Sequence, residues 1–250
     1  MSPIPESKTT EFLCYLIPTL TLKPTSPDCL RLASLEGNLD GHQNMARDSA
    51  LLEAAEDGQP GFRLYGWDGP WVSLGRFQKP AKALRAESGV PWVMRPTGGK
   101  AVLHGHDVTL GAAFPFVALG LKESETRSVA PAYRAIIRPL VAALRDSGAN
   151  VLLGEETQFV KSGGATPDCF AHLAPNDVID PTTGRKVMGC ALQMGRRAVL
   201  VQCSMPVGPP LVDPNLVFPE AHFPSWIKDL DGEEFFKALR TRLTEAMASQ

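Results

Sequence analysis

Three stretches of the chain repeat apolar residues at helical spacing, and most of the remainder alternates in short runs broken by glycine and proline. In NMARDSALLEAAEDG, residues 44–58, Met45, Ser49, Leu52 and Ala55 share one face, acidic residues share the other, and Gly58 supplies a stop. In SVAPAYRAIIRPLVAALRDSGA the stripe is Tyr133, Ile137, Leu140, Val141 and Leu144, with Gly148 at the end. GEEFFKALRTRLTEAMAS, with Phe235, Phe236, Leu239 and Leu243 on one side, predicts a packed terminal helix.

Between the helices lie strand-like runs. FRLYGW and WVSLG, separated by Asp68, Gly69 and Pro70, read as strand, turn and strand. VPWVMRPTGGKAVLHGHDVTLGAAFP reads as a strand, a glycine turn and further strands, and NVLLG, DVID, RKVMGCALQM and RAVLVQCSM add four more short runs. The first forty residues hold several prolines and one apolar run, FLCYLIPTLTL from Phe12 to Leu22, read as an early strand. Long parallel crossovers do not dominate this order. It predicts an α+β fold, a mixed, mostly antiparallel sheet with packed helices. The expected division is an N-terminal segment, 1–40, carrying the first strand, and a single domain over 41–250.

Composition narrows the function classes. Hydrophobic residues at 44% and charged residues at 21% are ordinary for a globular chain, so disorder is disfavoured. A net charge of −2, with basic residues never clustered beyond a pair such as Arg196–Arg197, speaks against nucleic acid. The Phe12–Leu22 run is broken by Pro18 and too short to span a bilayer, so no membrane partner is expected. Five widely spaced cysteines without a CxxC pair fit neither a disulfide framework nor a zinc knuckle, and point to the cytoplasm.

The chemistry concentrates in two places. RPTGGKAVLHGHDVTL, residues 95–110, lacks the spacing of a phosphate loop and is followed by strand-like residues instead of a helix N-terminus. His104 and His106 have only Asp107 close in sequence, so no metal is expected. Two readings stay open: paired glycines that let a ligand approach the backbone between Arg95 and Lys100, suiting an acyl chain with a polar or anionic head, or a tight turn between strands. The second place is Cys169 in a loop-like PDCF context, with Lys186 after the turn-forming TTGR. A lysine near a cysteine favours the thiolate and would suit acyl transfer through a thioester. Also open is a small core cysteine beside a solvated lysine.

Taken together, NMARDSALLEA, GFRLYGWDGPWVSLGRFQ, RPTGGKAVLHGHDVTLGAAFP, SVAPAYRAIIRPLVAALRDSGA, DCFA and GRKVMGCALQ, in that order, resemble the biotin and lipoate protein ligase superfamily. Within it the chain is most similar to the cysteine-dependent octanoyltransferases of the lipoate ligase-like type. The resemblance implies that Arg95, Thr97, Gly98, Gly99, Lys100, Ala101 and His104 line an acyl pocket. It implies Cys169 as the thioester nucleophile, Lys186 as the lysine that lowers its pKa and contacts the acyl carbonyl, and Gly189 and Ala191 as points of close approach. The implied donor is octanoyl-acyl carrier protein. The implied acceptor is a lysine on the lipoyl domains of 2-oxoacid dehydrogenases or on the glycine cleavage H protein, with no cofactor. The alternatives are an ATP-dependent lipoate-protein ligase, with ATP and Mg as substrate and ion, and a non-catalytic relative that binds acyl groups or lipoyl domains. Two departures from the family pattern stand out: Met94 replaces the first of two arginines, and Cys190 takes a place where serine is common.

Overall fold

Strict alternation along three neighbouring strands sets the architecture. On β2 (Gly61–Trp67) Phe62 and Leu64 point one way, and Arg63, Tyr65 and Trp67 the other. On β6 (Asp107–Pro115) Leu110, Ala112 and Phe114 join the first set. On β10 (Ala198–Pro206) Val199, Val201, Cys203 and Met205 do the same, while Ala198 and Leu200 face the opposite layer. All nine residues of β10 are buried, as expected for a strand covered on both faces.

The structure is a computed structural model and describes residues 30–126, 128–157, 177–221 and 225–250. Among these the remaining strands and α-helices are β1 (Leu32–Leu39), α1 (Gly41–Glu56), β3 (Trp71–Leu74), α2 (Pro80–Ala83), β4 (Trp92–Met94), β5 (Val102–His104), α3 (Val129–Asp146), β7 (Leu152–Leu153), β8 (Val178–Ile179), β9 (Lys186–Met194), α4 (Pro214–Val217) and α5 (Gly232–Ala248). A seven-stranded sheet runs β1-β2-β6-β10-β9-β8-β7, and a smaller one runs β4-β3-β5. Among the described residues only the β1–β2 and β3–β4 pairs are parallel. The fold is therefore α+β with a mixed, mostly antiparallel sheet, as the element order predicts.

Helices α3 and α5 cover one face of the large sheet. Ile136, Ile137, Leu140 and Leu144 of α3 and Phe235, Leu239 and Leu243 of α5 pack with the strand residues into the main core. Both helices follow the apolar stripes read from the sequence, because a stripe of this width must be buried. Helix α1 covers the other face, and here the structure corrects the sequence. The helix begins at Gly41, capped by Asp40, whose side chain accepts from the Gln43 N–H at 2.9 Å. Its buried face is Asn44, Met45, Asp48, Leu51 and Ala55, with Ser49 and Leu52 only half-buried. Gly58 ends it in the left-handed region, φ 88°.

FRLYGW and WVSLG form strands, β2 and β3, but in different sheets. The turn between them is held by Trp71, whose Nε1 donates to Asp68 Oδ1 at 2.7 Å. Strand β1 is not legible in the sequence: it lies at the sheet edge with half its residues exposed. The Phe12–Leu22 run lies outside the described residues.

Candidate active site

The α1 face of the large sheet holds a polar layer where an apolar one would be expected. Asp48 is fully buried and accepts from Arg63 Nη1 at 2.7 Å, Tyr65 Oη at 2.7 Å and Gln202 Nε2 at 2.6 Å. Arg63 reaches on to Asn44 Oδ1 at 2.8 Å and Glu36 Oε2 at 2.7 Å, with its guanidinium 3.7 Å over the Tyr65 ring. Burial pushes the Glu36 carboxyl up, but hydrogen bonds from Arg63 and Ser34 outweigh it and hold the group at about 2. Gly111 on β6 makes room for this layer, since a Cβ there would collide with the Asp48 carboxylate. Gln202 carries the layer onward, because its Oε1 accepts from Thr97 Oγ1 at 2.7 Å.

Beyond Thr97 lies the glycine turn. Arg95 is almost wholly buried, and its donors are committed locally: Nη2 to the carbonyls of Gly98 and Lys100, both at 2.6 Å, and Nη1 to the Ser73 carbonyl at 2.9 Å and hydroxyl at 3.2 Å. Its Nε donates to Thr97 Oγ1 at 3.1 Å. These carbonyl and hydroxyl acceptors claim the guanidinium, which therefore staples the turn. Gly99 sits at φ 84°, conformationally accessible chiefly to glycine. Opposite it, Gly75 must also be glycine, since a Cβ would run into the Gly99 carbonyl.

Behind the turn stands a second polar chain. His104 Nδ1 lies 2.7 Å from Asp107 Oδ2 and its Nε2 lies 2.8 Å from Ser73 Oγ, while the ring stacks on Trp67 at 4.0 Å and 14°. The carboxylate only accepts, so Nδ1 carries the proton. Asp107 also accepts from Ser204 Oγ at 2.6 Å and Thr109 Oγ1 at 3.0 Å. Its burial pushes the carboxyl up, yet the charge and hydrogen bond of His104, with Ser204, hold it at about 2.

That depressed value has a consequence for acid stability. The folded pKa lies below that of the unfolded chain, so Asp107 stabilises the fold fully above about pH 4 and the contribution, about 2 kcal/mol, fades as pH falls through about 2. Urea midpoints of wild type and Asp107→Asn, taken from pH 5 down to pH 2, should converge by that amount. A gap constant with pH would show that Asp107 is not held below its ordinary range.

These two layers frame a narrow cleft. Its lining includes Met45, Trp67, Arg95, His104, Gly189, Cys190, Ala191 and Cys203. Small residues at 189 and 191 leave β9 bare there: Gly189 lies opposite Ser204 and Ala191 opposite Gln202. Of the residues the sequence singles out, the structure thus brings Arg95, His104, Gly189 and Ala191 to one cleft. Thr97 and Gly99 lie immediately behind it, through Gln202 and Ala191. Gly98 and Lys100 contribute carbonyls to the Arg95 staple. Ala101 is elsewhere, packed with Val72, Leu74 and Leu103 in the core of the small sheet. Lys186 opens β9 about 10 Å along the strand from Gly189 and is buried against Asp177, Nζ to Oδ1 2.7 Å. Cys169 lies outside the described residues. Among the described residues no cluster of three or more His, Cys, Asp or Glu could hold a metal ion, and no helix is long and apolar enough to cross a membrane.

Sequence reasoning missed Asn44, Asp48, Arg63, Tyr65 and Gln202. The available signal was the arginine inside FRLYGW, on the strand's inward face with nothing in sequence to neutralise it.

Solved lipoate protein ligases share this fold. The chain superposes with a TM-score of 0.62 on a bi-partite lipoate protein ligase from Thermoplasma acidophilum, at 20% identity over 86% of this chain and 82% of that one. A structure of lipoate-protein ligase A bound with ATP gives the same score at 20% identity, covering 86% and 84%. The chain belongs to the family described as lipoyl protein ligase A/B catalytic domain, matched over residues 40–230. Among curated relatives, octanoyltransferase LipM of Kyrpidia tusciae is 34% identical over 191 residues, 73% of this chain and 66% of that protein. LipM of Anoxybacillus flavithermus is 33% identical over 176 residues, 66% of this chain and 61% of that protein. The matches thus span somewhat less than two thirds of the relatives' own length.

Proposed function

We propose that the protein is a cytoplasmic octanoyltransferase of protein lipoylation that works through a thioester on Cys169. The observation that carries the reading is the 34% identity to an octanoyltransferase over 191 residues. The cleft adds support: its floor is kept low by Gly189 and Ala191 and it is mostly apolar, which suits an alkyl chain.

In the first half reaction the Cys169 thiolate attacks the thioester carbonyl of octanoyl-acyl carrier protein. The tetrahedral intermediate collapses, the carrier thiolate leaves and takes up a proton, and the octanoyl group stays on Cys169. In the second, the neutral ε-amine of a lipoyl-domain lysine attacks the new thioester. An amide forms, the Cys169 thiolate leaves, and the amine proton is lost. The acceptors are the lipoyl domains of 2-oxoacid dehydrogenases or the glycine cleavage H protein. Lys186 serves both halves, favouring the thiolate and stabilising the oxyanion. Because both acyl donors are already thioesters, neither step consumes ATP.

The test is intact mass spectrometry of the protein mixed with octanoyl-acyl carrier protein, without ATP, beside Cys169→Ser. An octanoyl adduct on the wild type, removed by hydroxylamine and missing from the variant, is expected. Modification of a lipoyl domain only when lipoate and ATP are supplied, and equally by Cys169→Ser, would replace the transferase with a ligase.

A further inference from the structure

Two cysteines face each other across the wall of the cleft. Cys190 on β9 and Cys203 on β10 are direct register partners, and their sulfurs lie 2.7 Å apart. The hairpin that joins the strands closes with the Gly195 N–H bonded to the Ala198 carbonyl at 2.8 Å. From that hydrogen-bonded pair the antiparallel ladder alternates without a bulge, and Cys190–Cys203, five steps on, falls on a non-hydrogen-bonded pair. Such pairs hold their Cα atoms about 4.5 Å apart, inside the range a disulfide spans. The side chains therefore need no backbone movement to join.

The surroundings divide the two thiols' roles. Cys203 is 1% exposed and packs in the main core, whereas Cys190 is half-buried and both line the cleft. Tyr133 of α3 hydrogen-bonds Cys190, and burial together with the neighbouring sulfurs and Asp177 keeps the phenol protonated. The tyrosine is thus a donor toward the sulfur.

We propose that Cys190 and Cys203 form a two-thiol oxidation site, converted by peroxide into a cross-strand disulfide in the wall of the cleft. The more accessible Cys190 sulfur attacks one peroxide oxygen, the O–O bond breaks, and water leaves behind a sulfenic acid. Cys203 then attacks the Cys190 sulfur, the S–O bond breaks, and a second water departs. Two thiols are oxidised and one hydrogen peroxide is reduced to two waters. A dithiol reductant reverses the product by exchange. The buried partner makes the pair a trap: it captures the sulfenic acid before a second peroxide can carry it further.

The experiment is a non-reducing tryptic map of the full chain after stoichiometric hydrogen peroxide, with thiols blocked at the quench. Cleavage after Lys186, Arg196 and Arg197 places the two cysteines in separate peptides, 187–196 and 198–228. A linked pair lighter by two hydrogens than the sum of its halves, dispersed by dithiothreitol, is expected in most molecules and must vanish in Cys203→Ala. Running the map in Cys169→Ser as well keeps it independent of the acyl-transfer chemistry. Unlinked peptides with Cys190 taken to sulfinic acid, or Cys190 linked to a different cysteine, would overturn the proposal.

Discussion

Asp48→Ala is expected to lower the unfolding free energy by about 3–5 kcal/mol, the range for removing one partner of a buried ion pair. The loss follows from what remains: Arg63, 2% exposed, keeps Glu36 and Asn44, but Tyr65 and Gln202 each lose their acceptor in a place water does not reach. For a chain of this size the melting temperature should fall by roughly 6–20 °C. Asp48→Asn, which keeps an acceptor oxygen but not the charge, should fall between wild type and Asp48→Ala. Glu36→Ala should cost less than either, because that carboxylate sits nearer solvent. Denaturant titrations of the three variants check the order. A loss under about 1 kcal/mol for Asp48→Ala would mean that the polar layer is dispensable to the fold.

The same layer marks the limit of what periodicity can reveal. Helices α3 and α5 and strands β2, β6, β9 and β10 were legible because each must bury a stripe or an alternating face of apolar side chains. On α1 that signal misleads: Asn44 and Asp48 are polar in composition yet buried, satisfied by Arg63 and Gln202 from strands far away in sequence. A hydrophobicity pattern cannot see a partner on another element. The glycine turn shows a related limit. Gly98 and Gly99 read equally as ligand floor or tight turn, and the turn depends on Arg95 folding back onto the carbonyls at 98 and 100. The cleft residues Gly189 and Ala191 came only from family resemblance. In sequence they are two small residues in a strand, and they gain meaning from facing Ser204 and Gln202.

If Lys186 stabilises the oxyanion as proposed, Lys186→Met should slow formation of the octanoyl-enzyme by roughly 100- to 1000-fold, the usual loss when one oxyanion donor is removed. Methionine keeps the length and apolar stem of lysine and takes away only the ammonium. A structural explanation competes, because the ammonium is 2.7 Å from Asp177 and its removal breaks that ion pair. The two effects separate in the double variant Lys186→Met with Asp177→Asn. Removing both charges should restore much of the melting temperature, since an ion pair replaced as a pair costs far less than one broken. It should restore none of the rate. The pH profile gives a second separation: if Lys186 favours the Cys169 thiolate as proposed, its loss should move the rising limb of the acylation rate upward. If the double variant recovers both stability and rate, with an unmoved profile, Lys186 only pairs Asp177 and positions β9, and the oxyanion must be met by backbone N–H groups instead.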